Sequence, residues 1–270
     1  MIPAITNFAL MPKFLLTAFL LFSVTLLHAQ TWELGAMGGA AGYMGDLNQT
    51  NPLKFSGPAL GVSAKYNFSG YFGVKLGYTY ATIAGADSTS GNIQTRARNL
   101  SFMTSLNEVS LTAELNFFEY IPSISKSLFS PYIFGGISYL TFNPQASYMG
   151  QTYNLRDLMT EGQSKPYSNH AISIPYGVGI KYNCSGALTI GAELGYRNPN
   201  TDYLDDVSGN YADKTKMSAI AAALSDRSGE NTGVYTGTVG SQRGDGRSRD
   251  TYFFFGFTIS YTFISQKCYY

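Results

Sequence analysis

Bulky apolar residues alternate with small or polar ones along much of the chain, and a period of two predicts β-strands. The alternation is plainest near the C-terminus, where Phe253, Phe255, Phe257, Ile259, Tyr261 and Phe263 share one parity. Between them, Phe254 apart, stand Gly256, Thr258, Ser260 and Thr262. A strand of a soluble sheet buries its apolar face and turns a polar or charged face to water. Here the second face carries no charge and has little bulk from which to build a core. This pattern suits a strand whose large residues face lipid.

Seven earlier segments repeat the pattern, at about 31–44, 57–68, 70–83, 106–118, 130–143, 170–183 and 187–199, before the last at 250–264. In the second, Leu60, Val62, Ala64 and Tyr66 oppose Gly61, Ser63, Lys65 and Asn67. In the sixth, Ile172, Ile174, Tyr176, Val178, Ile180 and Tyr182 oppose Ser173, Gly177, Gly179 and Lys181. Paired glycines at 38–39 and 135–136 blur the faces of the first and fifth. Each segment has about the length of a tilted strand crossing a bilayer. The connections also alternate. Those at 67–70, 119–129 and 183–186 are short to medium, whereas 46–56, 84–105, 144–169 and 200–249 are long. Short turns on the side of both termini and long loops on the other are the habit of even-stranded outer-membrane barrels. The expectation is an all-β protein with one domain over 30–270. It would be an eight-stranded antiparallel transmembrane β-barrel of OmpA/OmpX-like size, with its termini in the periplasm. Eight strands make an interior just wide enough for side chains to fill.

Composition sharpens this picture. Only 13% of the 270 residues are charged, against about 25% in an ordinary soluble domain. Tyrosine and phenylalanine number 21 and 18, and the formal net charge of +1 gives nothing to recruit nucleic acid. Beyond the N-terminal region no run approaches the roughly 20 apolar residues of a spanning helix. The low charge content argues against a soluble β-sandwich.

Residues 1–29 read as a cleaved signal peptide: Lys13 supplies the positive region, 14–27 the apolar stretch, and cleavage falls after Ala29. Met11 reads as the functional start, and no cysteine follows the cleavage site to make a lipoprotein.

On the inward parity stand Lys65, Lys75, Lys181 and Arg197 against Glu114, Glu193 and Glu33. They are expected to form an ion-pair network that plugs the lumen and prevents a wide pore. Candidate chemistry is sparse. His170 is the single histidine after the leader, so no Ser-His-Asp set assembles around it, and Cys/His zinc spacing is missing. No catalytic residue, metal site, cofactor or small-molecule substrate is expected. The acidic run 201–206 has oxygens suited to a hard cation, but lacks the alternation and closing Glu of an EF-hand loop. A hydrogen-bonded loop or partner surface is the preferred reading. Arg243-Gly244-Asp245 spells an integrin-type tripeptide by chance, and the Ala-rich 217–224 suits one or two helical turns. Cys184 and Cys268 both lie on the periplasmic side, where a disulfide is permitted. A bond between them and a bond to a partner both remain open.

Several segments resemble a known family. These are Pro131-Tyr132-Ile133-Phe134-Gly135-Gly136-Ile137 with Phe142-Asn143-Pro144, Thr160-Glu161-Gly162-Gln163, and Pro175-Tyr176-Gly177-Val178-Gly179. With Thr201-Asp202-Tyr203-Leu204-Asp205-Asp206-Val207-Ser208, Asp226-Arg227-Ser228 and Arg243-Gly244, they are similar to the PorG-like outer-membrane barrel family of Bacteroidetes. The resemblance implies a non-enzymatic component of the type IX protein secretion apparatus. Its partners would be outer-membrane lipids and the periplasmic ring built by a lipoprotein and its partner. A surface receptor or adhesin using loop 200–249 is the alternative, with a small barrel hydrolase or acyltransferase ranked last.

Overall fold

The structure is a computed structural model and describes residues 31–263; residues 1–29, read from the sequence as a signal peptide, and Cys268 lie outside the described residues. Eight long strands and one short strand make a single sheet. They are β1 (Thr31–Met44), β2 (Phe55–Asn67), β3 (Phe72–Ala86), β4 (Ser101–Asn116), β5 (Phe129–Tyr148), β6 (Gln151–Asn154), β7 (His170–Ser185), β8 (Leu188–Pro199) and β9 (Thr251–Phe263). All pairings are antiparallel, and the long strands follow one another around a ring that β1 and β9 close, from Trp32↔Phe263 to Met44↔Thr251. A closed ring leaves no unpaired edge, which is the condition for carrying strand backbone through lipid.

The eight alternating segments of the sequence correspond to the eight long strands. Two of the ends differ most. Strand β4 starts at Ser101, and β5 runs through Pro144 to Tyr148 before folding back as β6. The β5–β6 turn is Met149-Gly150, both with positive φ (49° and 78°). Pro144 reads as the start of a loop because it lacks an N–H, yet here it stays in register opposite Thr104. The paired glycines that blur the alternation mark close approach between strands: a Cβ on Gly136 would lie 2.1 Å from the carbonyl oxygen of Leu111.

The outward face is apolar around the ring. Leu34, Leu60, Val62, Leu76, Val109, Leu111, Ile137, Ile174, Val178, Ile180 and Ile259 are all exposed on it. At the end bearing the short turns, the belt finishes in aromatic residues. Trp32 meets Tyr66 edge-on at 5.0 Å, Tyr66 meets Phe68 at 4.8 Å, and Tyr261 meets Phe263 at 5.1 Å. Tyr80, Tyr139 and Tyr176 mark the opposite border. An exposed apolar band between two aromatic girdles is the outer surface of a transmembrane barrel. Among the described residues no helix is long and apolar enough to cross a membrane, so the strands alone do so.

The inward face changes character along the barrel axis. Toward the turn end it carries Lys65, Glu114, Asn116 and Thr189, and toward the loop end Ala59, Ala81, Ile83, Leu106, Leu140 and Phe142. The second group joins residues of the long loops in one apolar core. The hydrophobic core therefore sits at the mouth of the barrel, beneath a cap made by the loops.

Replacing Leu111, in the middle of the outward belt, by Arg should destabilise the barrel by about 2–4 kcal/mol. Urea unfolding of the protein in lipid vesicles measures this, and Ser110→Arg on the opposite parity of β4 separates lipid exposure from a general intolerance of the strand.

Candidate functional site

The lumen and the cap hold the polar groups that the barrel buries. In the turn-end half of the lumen, Lys65 contacts Glu33 at 2.7 Å and Glu114 at 3.1 Å, and Lys181 pairs with the same Glu114 oxygen. Higher up, Lys75 reaches Glu193 at 2.5 Å, and Tyr132 donates to that carboxylate at 3.0 Å. Higher still, Arg197 lies 3.4 Å from Glu108, which also accepts from Tyr252 at 2.5 Å. All seven lumen residues singled out in the sequence therefore point inward, and so does Glu108. Glu108 shares the parity of Glu114, which is the signal that would have found it. The cations also lie against rings. Lys75 is 5.1 Å from the Phe134 centroid, Lys181 is 4.8 Å from Tyr132, and Arg197 is 4.2 Å from Phe254. Four cations thus face four carboxylates with aromatic walls between them, and the space left among them is about 80 Å³.

The turn end has its own stopper. In the connection between β4 and β5, Tyr120 and Ile121 are buried. The Tyr120 N–H donates to the Gly70 carbonyl at 2.9 Å, its hydroxyl pairs with Thr189 at 2.8 Å, and its ring lies 5.1 Å from Lys181. Sequence reasoning assigned this connection no role; its signal was an apolar pair inside a turn that otherwise faces water.

At the other end four loops knit together: loop 1 (45–54), loop 2 (87–100), loop 3 (155–169) and loop 4 (200–250). Loop 4 carries a helix, α3 (Ala219–Ser225), after α1 (Ile93–Arg98) in loop 2 and α2 (Leu155–Leu158) in loop 3. The Ala-rich stretch forms α3, capped by the Ser218 hydroxyl, which accepts from the Ala221 N–H at 3.2 Å. Two arginines tie the loops. Arg98 makes a two-pronged bond to Asp87 (2.7 Å each) and donates to the main-chain carbonyl of Asp46 at 2.9 Å and to that of Arg243. Arg243 is fully enclosed: it meets Glu161 at 2.9 Å, the Asp206 carbonyl at 2.7 Å and the Ser225 carbonyl at 3.1 Å. The Arg-Gly-Asp tripeptide is therefore not displayed; its arginine is only 3% exposed.

Two of the segments that resemble family motifs, 160–163 and 201–208, meet in this cap. Thr160 donates to the Asp206 carboxylate, as does Tyr167 at 2.8 Å, and Glu161 accepts from the N–H groups of Ser208 at 2.9 Å and Gly209 at 3.0 Å. The Gly162 backbone is left-handed (φ 71°), as is that of Asp206 (φ 69°), where the acidic run turns. Gln163 accepts from the Glu161 N–H at 3.2 Å. Leu204 is driven to complete burial over the barrel mouth, its N–H held by Asp250 at 2.9 Å and its carbonyl by Thr104 at 2.6 Å. Tyr203 stacks on Tyr167 with centroids 4.3 Å apart. Thr201 accepts the Asp250 N–H at 3.2 Å.

Carboxylates crowd the junction of cap and rim. Asp46, Asp202 and Asp250 each bring an oxygen within 4.8 Å of the others, and Asp205 is joined to Asp250 through the Tyr43 hydroxyl. Burial pushes the Asp46 carboxyl up to about 7, against a hydrogen bond from the Asp245 N–H that pulls it down. Burial likewise lifts Asp202 to about 6 and carries Asp205 and Asp250 well above the usual carboxylate range. Asp206 is raised to about 6 by burial even with Arg243 beside it.

The remaining sequence candidates lie apart. His170 is exposed at the start of β7, stacked on Tyr139 at 5.8 Å, with Nδ1 3.3 Å from the Asn169 side chain. Cys184 is exposed in a break of register between Asn183 and Ser185 at the turn end.

Arg243→Ala should strand Glu161 and Asp206 as buried charges, at about 3–5 kcal/mol for a broken buried pair. The cap should open while the barrel stays closed. Limited proteolysis would then cut loop 4 faster, and circular dichroism would keep its strand signal.

No curated protein matches the chain. Among solved structures it is similar to Neisserial surface protein A at 11% identity, over 87% of this chain and 97% of that one, with a TM-score of 0.41. It is similar to the outer membrane protein OprG of Pseudomonas aeruginosa at 11% identity, over 88% and 97%, with a TM-score of 0.41. The N-terminal β-barrel domain of OprF, from the same organism, matches at 14% identity over 86% and 97%, with a TM-score of 0.37. Residues 12–239 match the model of the family described as "Domain of unknown function (DUF6089)", and the chain belongs to that family.

Proposed function

We propose that the protein is a non-enzymatic structural subunit of the outer membrane that anchors or organises the periplasmic ring of the type IX protein secretion apparatus. The observation that carries the structural half of this reading is the filling of the lumen. Ion pairs occupy one half, an apolar core and a folded cap occupy the other, and Tyr120 stops the base. Such a barrel offers no wide route for a solute, and its inward charges are paired with one another.

The secretion half rests on the resemblance of 160–163 and 201–208 to the PorG-like family. Those two segments bond to each other across loops 3 and 4. In the orientation usual for such barrels, the short turns and both termini face the periplasm. Cys184 is then exposed on the side where a ring would dock. Loop 4 is folded down with its arginine enclosed, which favours a scaffold over a receptor that displays its loops.

Two measurements test the reading. In planar bilayers the purified protein should give no large, stable single-channel currents; steady currents would overturn the plugged lumen. Tagged protein drawn from detergent-solubilised outer membranes should bring down the ring lipoprotein and its partner, and a non-reducing gel reports any covalent link through Cys184. A clean monomer would overturn the ring-anchoring role.

A further inference from the structure

We propose that Asp46, Asp202 and Asp250 form a calcium site that fastens loop 4 to the rim of the barrel. The three residues come from different parts of the chain: the first turn of loop 1, the first turn of loop 4, and the residue immediately before β9. Each offers a carboxylate oxygen within 4.8 Å of the other two. Calcium binds oxygens at about 2.3–2.6 Å, so two of its ligands stand at most about 5 Å apart. The spacing fits.

The surroundings explain why a cation is needed. Asp46 is 2% exposed, Asp202 9% and Asp250 0%. Among the described residues none of the three has a lysine or arginine within ion-pair distance of its carboxylate. The nearest arginine, Arg98, gives its side chain to Asp87 and to the main-chain carbonyl of Asp46. Asp202 Oδ1 is buried with no hydrogen-bond partner. The other two carboxylates are positioned from outside. The Asp245 N–H donates to Asp46, and the Leu204 N–H donates to Asp250 at 2.9 Å. The Tyr43 hydroxyl faces both Asp250, at 3.1 Å, and Asp205. A hydroxyl has one hydrogen, so it satisfies only one of the two carboxylates fully. Donors that fix the neighbouring carboxylates beside an unpaired Asp202 oxygen give the outer support that a metal site uses.

The ligand set selects the ion. It is oxygen only, without His or Cys, which excludes the softer transition metals as preferred occupants. Magnesium demands near-ideal octahedral geometry and keeps much of its water, whereas calcium accepts irregular cages assembled from loops. Three protein carboxylates imply an affinity of the order of 10⁻⁴–10⁻³ M, the range of extracellular modules. Gly45 makes room for the arrangement, since a Cβ there would lie 2.0 Å from Asp250 Oδ1.

The test uses the full-length protein folded in detergent micelles, titrated with calcium chloride by calorimetry and with terbium, whose luminescence nearby tyrosines sensitise. Saturable binding is expected, with calcium displacing terbium and slowing protease cleavage within loop 4. Asp202→Asn should weaken binding by about tenfold or more and abolish the protection, while Asp213→Asn, in the exposed part of loop 4, should change neither. Heat-modifiable gel mobility checks that each variant has folded, and Asp46→Asn replaces Asp202→Asn if the latter does not. Failure of the wild type to bind calcium up to about 10 mM would overturn the site. So would unchanged binding in the Asp202 variant, or magnesium binding as tightly as calcium.

Discussion

Closure of the ring by β1 and β9 is the condition on which the rest of this structure depends. Inside a bilayer no water is available to bond an open edge, and each unpaired backbone group costs several kcal/mol. The register from Trp32↔Phe263 to Met44↔Thr251 satisfies that demand along the whole seam. Once it is met, the period-two alternation has only one consistent reading: one parity belongs to lipid and the other must be filled.

The filling obeys two different rules at the two ends. Near the turns, charges are admitted because each finds an opposite one, as Glu114 does between Lys65 and Lys181. A buried charge left alone would be prohibitive, so the balance of four against four is a requirement of burial rather than a device for selecting ions. Near the mouth, where loops supply a lid, the inward residues become Ile83, Leu106 and Phe142, and ordinary apolar packing takes over. Leu204 links the two levels, being held by polar loop groups and buried among apolar strand ends.

Much of this was legible in the sequence, for a definite reason. Parity is a local property, so Phe257, Ile259 and Tyr261 on one side and Thr258 and Ser260 on the other declare the strand without knowledge of its neighbours. Even the exception is informative: Phe254 breaks the pattern because it points inward, beneath Arg197. What parity does not tell is which inward residue meets which, since that depends on the stagger between strands. Glu108 and Tyr252 are 144 positions apart and meet only through it. The shift of the inward face from polar to apolar was equally hidden, because Leu106 and Ile83 read as further members of a strand. The cap was least legible. Glu161 and Arg243 lie 82 positions apart with no periodic signal between them, and the β5–β6 hairpin hid behind Pro144.

The ties of the cap also set an order of assembly. Tyr43 closes β1, Asp250 precedes β9, and the hydroxyl of one reaches the carboxylate of the other across 207 positions of chain. They become neighbours only when the seam between the first and last strands has aligned. The entropy of closing so long a loop is then already met by the strand pairings, and the cap contacts form at little further cost. Loop 4 therefore condenses over the mouth only after the seam has formed, and a folded cap is a sign that the ring is closed.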